Sequence, residues 1–591
     1  MGVLAVYDTT GIQSYIFASN KLRENVGASI LVRKVLSEYL TDVIHTISEK
    51  EKAYAITDWE ARCDKPLEIA DGSNIYAEII YVGGGNAYVA FKDYDAYKNV
   101  TKKFLFKVYD KTAGIGIASA FVETNFIEGY SEQFQYLLEK LSYAKGNINH
   151  PIPVGNQPIT TSSLLTGLPV IDYDPSTEFE GVSAEQLLKR NAYRDEQSEA
   201  DLISKNESTQ NSIEMLNQII GKFSAQKPKE FSDLERGNSF LAVIHLDGNS
   251  MGSAIMEYSK GEKWTEIVPR VRKMSCRISK LFKEAYYKMA ANLAKHCAPK
   301  DADEKTMFPL INIINDGDDI TCVVSGQYGI SFAAQLLRAI ETLGESNEFY
   351  PFPEWARVWP EGGADRKPRI SACAGVTLFH SHYPFSEAYK MAEECCANAK
   401  RYTRNAKRHT SGITGSFIDF HLHQSGAVVN LKQFRKEQYT TKGEKVICRP
   451  YCVSSSCDVG DVGDVGDVSG DVFKDIYPLY SEFERLMHGW ALADKYNQYE
   501  KNKWPRSRLK ALRKAIRTDG NEVIEVIDWC KSRGYRIPDK YKAVTAIEDE
   551  DAKEDKGDEE EKAKSEFAML FDVLELADIY EEIPRGENDV Y

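Results

Sequence analysis

Three aspartates, Asp247, Asp318 and Asp319, are the residues of this sequence that point most directly to chemistry. The last two belong to Asp316-Gly317-Asp318-Asp319, which gathers three carboxylates in four residues. Like charges this close repel, and a divalent cation turns the repulsion into attraction. Hard oxygen ligands of this kind hold Mg²⁺ or Mn²⁺. Two such ions roughly 4 Å apart clamp the attacking and leaving oxygens of a phosphoryl transfer. In that chemistry Asp247 and Asp319 bridge both ions and Asp318 completes the shell. Leu246, next to Asp247, is counted with the metal-binding positions. A solvated turn is the plain alternative, because turns favour Asp and Gly for local reasons.

The reaction expected of such a centre is nucleotidyl transfer, with a hydroxyl attacking an α-phosphate and pyrophosphate departing. Gly248-Asn249-Ser250-Met251-Gly252 follows Asp247 at a helix start, where backbone amides can receive phosphate oxygens. Asp316 and Gly317 complete the nucleotide-facing set at the hairpin tip. Lys400 and Arg404, one helical turn apart, could hold a triphosphate tail. The alternative for the basic stretch Lys400, Arg401, Arg404, Lys407 and Arg408 is a solvated helix face. His380 with His382, and His421 with His423, each alternate along a strand, and exposed histidines are a simpler reading than a metal site.

These residues need strands and a tight turn to hold them. Ile311 to Val324 reads as two β-branched runs around an Asp-Gly tip, which predicts a β-hairpin. Phe240 to Leu246 predicts a strand that ends in Asp247. A helix over about 268–296 separates the two. The first 127 residues repeat the plan: a strand at Val3–Tyr7, a helix from about Gly11 to Leu40, a hairpin from about Asn74 to Phe91, a helix at 94–109 and a strand at 114–123. This is a ferredoxin-like βαββαβ order. Its hairpin tip, Gly83-Gly84-Gly85-Asn86, has no carboxylate, so this unit is expected to be structural. Asp8 is expected to cap a helix.

The ordered set of motifs resembles the large palm-domain (polymerase/cyclase) subunit of type III CRISPR effector complexes. The resemblance is carried by Asp8-Thr9-Thr10-Gly11-Ile12-Gln13-Ser14-Tyr15-Ile16-Phe17, by Ile80 to Val89 around the glycine tip, and by Leu246-Asp247-Gly248-Asn249-Ser250-Met251-Gly252. It continues in Asp316-Gly317-Asp318-Asp319, Ile370 to Val376, His382-Tyr383-Pro384 and Ala399-Lys400. Phe417-Ile418-Asp419-Phe420-His421 and Trp504 to Lys510 resemble later segments. The family's hairpin usually reads GGDD, and Asp316 replaces its first glycine here. No His-Asp dipeptide occurs, so the nuclease of the larger members is not carried over.

The resemblance implies an α+β chain with two ferredoxin-like palms, a helical connecting domain and a helical C-terminal domain. The expected divisions are 1–127, 128–237, 238–430 (the catalytic palm), 431–473 (a variable strand and loop) and 474–591. It also implies ATP as substrate, two Mg²⁺ or Mn²⁺ ions, and a second messenger made when target RNA binds. The product would be cyclic oligoadenylate, or AMP joined to S-adenosylmethionine. Implied partners are other protein subunits of the complex, with CRISPR RNA and target RNA reached through them. A non-catalytic scaffold subunit and a stand-alone palm-domain cyclase are the alternatives.

Composition sets outer bounds. A chain of 591 residues with 42% hydrophobic content can build several cores, and a net charge of −15 argues against a generally basic nucleic-acid-binding surface. The 11 cysteines include no Cys-x-x-Cys. Adjacent Cys395 and Cys396 are expected to be core thiols, and Cys448, Cys452 and Cys457 form only a loose cluster. No signal peptide or transmembrane run is apparent, so a cytoplasmic protein is expected. Asp-Val-Gly repeats over 458–469 predict a linker, and 547–564 is a largely acidic run. Ser565–Glu581 is expected to close the chain as an amphipathic helix with Phe567, Leu570, Phe571 and Leu574 on its apolar face.

Overall fold

The computed structural model describes residues 1–71, 74–147, 159–174, 180–203, 212–223, 225–298, 306–345, 370–409, 415–424, 430–441, 444–454, 477–488, 505–518, 520–535 and 568–584. The repeats at 458–469, Cys457, Phe567 and the acidic run lie outside them.

The first sheet begins with β1 (Gly2–Thr10), whose Val3–Tyr7 run is fully buried. Helices α1 (Ile12–Ile16), α2 (Leu22–Lys34) and, after a π turn, α3 (Leu40–Lys50) follow. The single helix expected here is therefore broken at 17–21. Ser19 Oγ accepts from Lys21 N at 3.1 Å, a local side-chain bond that competes with the helical ladder. Lys189 Nζ takes the freed Tyr15 carbonyl at 2.7 Å. Then come β2 (Tyr54–Ile56), β3 (Ile75–Gly83), β4 (Asn86–Phe91), α4 (Tyr94–Thr112) and β5 (Gly116–Thr124). The order β2-β3-β4-β1-β5 contains the ferredoxin-like arrangement, with β2 added at one edge. Helix α5 (Tyr130–Gly146) lies on this sheet, with Leu137 and Leu141 among its core residues.

The hairpin of β6 (Val170–Asp174) and β7 (Glu180–Ser183), then α6 (Ala184–Ile203) and α7 (Ser212–Lys222), lead to the second sheet. That hairpin was not expected in a helical connection. Its strands are short, with only Val182 and Ser183 buried, so they leave little periodic signal.

The second sheet uses β8 (Phe240–Gly248), α8 (Met251–Tyr258), α9 (Trp264–His296), β9 (Leu310–Asp316), β10 (Asp319–Ser325), α10 (Gly329–Glu345), β11 (Ala372–His380), α11 (Phe385–His409) and β12 (Phe417–Leu422). Helix α12 (Leu431–Gln438), a small ribbon of β13 (Thr440–Thr441) and β14 (Glu444–Lys445), and β15 (Tyr451–Cys452) follow. The order β15-β12-β11-β8-β10-β9 again contains the ferredoxin-like core, extended by β12 running parallel to β11. Helix α9 serves both sheets. Trp264, Ile267 and Val268 pack in the first, while Met274 to Leu293 pack in the second. Arg272 of α9 is fully buried and donates to Glu78 at 3.0 Å, to Ile80 O at 2.8 Å and to Ile79 O at 2.9 Å on β3.

The remaining described elements are helical: α13 (Tyr480–Leu486), α14 (Arg506–Thr518), α15 (Gly520–Ser532) and α16 (568–576). The expected apolar face of the last helix packs inside the chain. Leu570 and Leu574 join the core of the second sheet, and Phe571 packs with Tyr439 and Ile447.

Candidate active site between the two palms

The acidic hairpin closes with Gly317 and Asp318 between β9 and β10. Gly317 has φ 61°, a left-handed conformation that a side chain would strain. Asp319 then faces Asp247 across the β10–β8 pair and Asp316 across the β10–β9 pair. Gly248 N donates to Asp318 O at 3.2 Å, which locks the tip onto β8. A Cβ at Gly248 would lie 2.8 Å from Asp318 Oδ2, 2.9 Å from Asp318 Cβ and 2.7 Å from Met251 Cγ. Only glycine therefore lets Asp318 sit against β8.

The three carboxylates repel. Burial, then the charge of Asp247, push Asp318 up to about 6. Burial and the charges of Asp247 and Asp318 raise Asp319 well above the carboxylate range. Asp319 Oδ1 is buried and has no hydrogen-bond partner among the described residues. Lys400 Nζ hydrogen-bonds Asp247 Oδ2 and lies 3.2 Å from Gly248 O. Burial works against the Lys400 ammonium, but Asp247 outweighs it, and the lysine pKa ends above its usual value.

The donor set of Asp247, Asp318 and Asp319 is all hard oxygen, and the orphaned Asp319 oxygen points to a missing partner; both fit Mg²⁺ or Mn²⁺. Among the described residues no three His, Cys, Asp or Glu side chains converge closely enough to hold an ion as they stand. Lys400 takes the Asp247 oxygen that a metal would need. The side chain of Leu246 is fully buried, so only its backbone carbonyl could serve a metal.

The other expected residues divide. Asn249 N donates to Ser371 O at 2.9 Å and its side-chain amide donates to Ser371 Oγ at 3.0 Å. Asn249 therefore braces β11, and its amide is not offered to phosphate. Met251 is buried, Ser250 starts α8 at φ 58°, and Gly252 borders open space. Arg404 is exposed, and its Nε donates to Lys400 O at 3.3 Å; no contact with the carboxylates is seen. Asp8 does not cap a helix: it lies on β1, and Lys145 Nζ is 2.7 Å from its Oδ2. Cys395 and Cys396 are buried free thiols, as expected. His421 and His423 are buried, not exposed, because α12 and the C-terminal elements cover β12.

Sequence reasoning passed over His245. It lies two residues before Asp247, so strand alternation puts both on one face. Its Nδ1 is 3.2 Å from Thr321 Oγ1 and 3.5 Å from Asp319 Oδ1. Burial lowers its pKa to about 4, so the ring is neutral. His245 meets Tyr389 edge-on at 5.6 Å, and Tyr389 stacks on Phe17 of the first unit at 3.8 Å.

A cavity of about 710 Å³ opens in front of the hairpin. Asp247, Asp316 and Asp319 line one side, and Gly83, Gly84 and Gly85 come from the first unit. That volume suits a nucleotide-sized ligand.

Residues 240–407 match the family described as Cas10/Cmr2, second palm domain. Over these residues the chain is similar to that domain. The resemblance drawn from the acidic motifs therefore holds over this palm. Solved Csm1–Csm4 structures are similar to the chain. One, in complex with cA4, shares 12% identity over 98% of this chain and 69% of that chain, with a TM-score of 0.48. A Csm1–Csm4 subcomplex of the type III-A CRISPR–Csm interference complex gives 12%, 98%, 69% and 0.47. No curated protein matches the sequence. Among the described residues no helix is long and apolar enough to cross a membrane.

Proposed function

We propose that the chain is an ATP-using nucleotidyltransferase that makes a nucleotide second messenger as the large subunit of a type III CRISPR complex, on binding of target RNA. The observation that carries this reading is the pairing of Asp247 with Asp319 beside Asp318, at the mouth of the inter-palm cavity of a Cas10/Cmr2 palm. Mg²⁺ or Mn²⁺, when bound, supplies Lewis-acid activation of the attacking hydroxyl and of the α-phosphate. Asp247, Asp318 and Asp319 would hold the ions. Lys400, released from Asp247, is within reach of a triphosphate and neutralises part of its charge. Buried His245 packs behind Asp319 and fixes its place. The first palm contributes the glycine tip, whose lack of side chains leaves room for a second substrate.

The product is cyclic oligoadenylate or AMP conjugated to S-adenosylmethionine. Asp316 lines the cavity, and its charge disfavours an anionic acceptor and favours a cationic one such as a sulfonium with an ammonium group. The test incubates the assembled complex with labelled ATP, Mg²⁺ or Mn²⁺ and target RNA, with and without S-adenosylmethionine, and identifies products by mass. Products that persist in the Asp318→Ala, Asp319→Ala variant would remove this palm as their source.

A further inference from the structure

Helix α14 carries Arg506, Arg508, Lys510, Arg513, Lys514 and Arg517 in 13 residues, with no carboxylate. In a chain of net charge −15 this is a local reversal of sign. Leu509, Leu512 and Ala515 are buried against Val523, Ile527 and Cys530 of α15, which fixes the helix in the fold. Arg506, Lys510, Lys514 and Arg517 are exposed. Their spacing of four, four and three residues puts them on one stripe, with about 6 Å between successive cations and about 16 Å in all. Asp578 lies 3.6 Å from Arg506 and 3.3 Å from Lys510. Asp578 is exposed and orients these two cations, and the four cations of the ridge outnumber it. Beside the ridge, Arg508 stacks 3.7 Å over Trp529, Arg533 lies 5.3 Å from the same ring, and Tyr535 stacks with Trp529 at 6.3 Å.

We infer that α14 is a direct docking surface for the phosphate backbone of a single-stranded nucleic acid. A row of cations at near-regular pitch matches a polyanion whose charge repeats regularly. An acidic protein segment would have to present carboxylates at the same pitch. Besides the two cations that Asp578 orients, three of the seven around the ridge are held in place, two by Trp529 and one by Gln438, which accepts from Arg517 at 2.8 Å. Pre-ordering of this kind lowers the entropy lost on binding. Aromatic surface beside a basic track is what single strands use. The inference does not depend on nucleotidyl transfer.

The test uses the full chain and fluorescent oligouridylate and oligodeoxythymidylate, followed by anisotropy against salt. Four phosphate contacts on a single strand give a log–log salt slope of about −2.8, an affinity loss of about 50-fold between 50 and 200 mM salt. Replacing Arg506, Lys510, Lys514 and Arg517 with Gln, a good helix former, is expected to remove that slope. The single changes Lys510→Gln and Lys514→Gln are each expected to lower it by about 0.7, and they cover the case in which the fourfold variant fails to fold. Asp578→Asn is expected to tighten binding. Absence of salt-dependent binding by the wild type, an unchanged slope in the variants, or displacement of the strand by polyglutamate as readily as by unlabelled oligouridylate overturns the inference.

Discussion

Asp8 holds in the first palm the place that Asp247 holds in the second. Each faces the first residue of its palm's third strand, Asn86 for Asp8 and Asp319 for Asp247. Each receives the ammonium of a lysine from the helix after the fourth strand, Lys145 and Lys400. The residue after each donates its N–H to the last turn residue: Thr9 to Gly85 at 2.8 Å, and Gly248 to Asp318 at 3.2 Å. The two palms thus share a backbone frame and differ in the carboxylates mounted on it.

The first palm is therefore expected to tolerate loss of its acid. Asp8→Ala should change nucleotide synthesis by less than about tenfold, which is about 1.4 kcal/mol of barrier. Gly84→Asp with Asn86→Asp should not create a second active centre. A larger loss in a folded Asp8→Ala variant would show that this palm takes part in chemistry.

Removing the acids of the second palm should have the opposite result. Asp318→Ala with Asp319→Ala is expected to cut synthesis at least about a hundredfold, about 2.7 kcal/mol of barrier. Folding and assembly should be preserved, because the lost groups repel one another. Product formation at the wild-type rate would exclude both residues from the reaction.

Gly248→Ala separates packing from charge. The new methyl would meet Asp318 and Met251 at under 3 Å. Overpacking of this kind costs about 1–3 kcal/mol, and here it is expected to fall on the position of Asp318. Synthesis should drop more than about tenfold with all three carboxylates still present. Unchanged kinetics with unchanged thermal stability would mean that the tip moves freely.

The raised pKa of Asp318, from 3.8 to about 6, sets a direction for stability. Between those values the folded state holds more proton than the unfolded state. The stabilisation is complete below about pH 3.8 and is lost as pH rises through 6. Metal-free protein should therefore gain thermal stability from Asp318→Asn at pH 7 to 8 and gain little at pH 4. Adding Mg²⁺ should stabilise the wild type and not the Asp318→Asn, Asp319→Asn variant. A drop in melting temperature for Asp318→Asn at pH 8 in the presence of chelator would contradict this.

Asp316→Gly tests acceptor choice. A unit charge within about 6 Å, at an effective dielectric near 20, is worth about 3 kcal/mol before water screens it. Even a third of that shifts product ratios several-fold. With ATP and S-adenosylmethionine supplied together, the variant is expected to move toward oligoadenylate. An identical product ratio would leave Asp316 as a turn residue.

Much of the scaffold could be read because its signals are local. The apolar run 240–246 ending in Asp247, and the Asp-Gly tip, name a strand and a hairpin by residue type alone. The break at 17–21 could not, because the local Ser19 bond is joined by one from Lys189, far along the chain, to the Tyr15 carbonyl. The acids stand out in the sequence because repelling charges are costly to gather without a counter-charge. Asn249 and His245 were not, since an amide bonded to Ser371 and a ring behind Asp319 acquire their roles only when β11 and β10 are laid beside β8.

The end of the chain completes the second palm. Arg449, fully buried beside β15, pairs with Glu575 at 2.7 Å, and Asp572 accepts from Tyr451 at 2.8 Å. Glu581 N donates to Gln327 O just before α10, and Ile583 N donates to Ser331 Oγ in its first turn. Synthesis reaches these residues well after the sheet. At about 5–20 residues per second, the sheet strands ending at Leu422 wait roughly 8–30 s for α16. During that interval Arg449 has no buried carboxylate to meet, and the apolar face of α10 is uncovered. A chain cut before residue 568 would thus keep Asp247, Asp318 and Asp319 and leave the core around Arg449 and α10 unsealed.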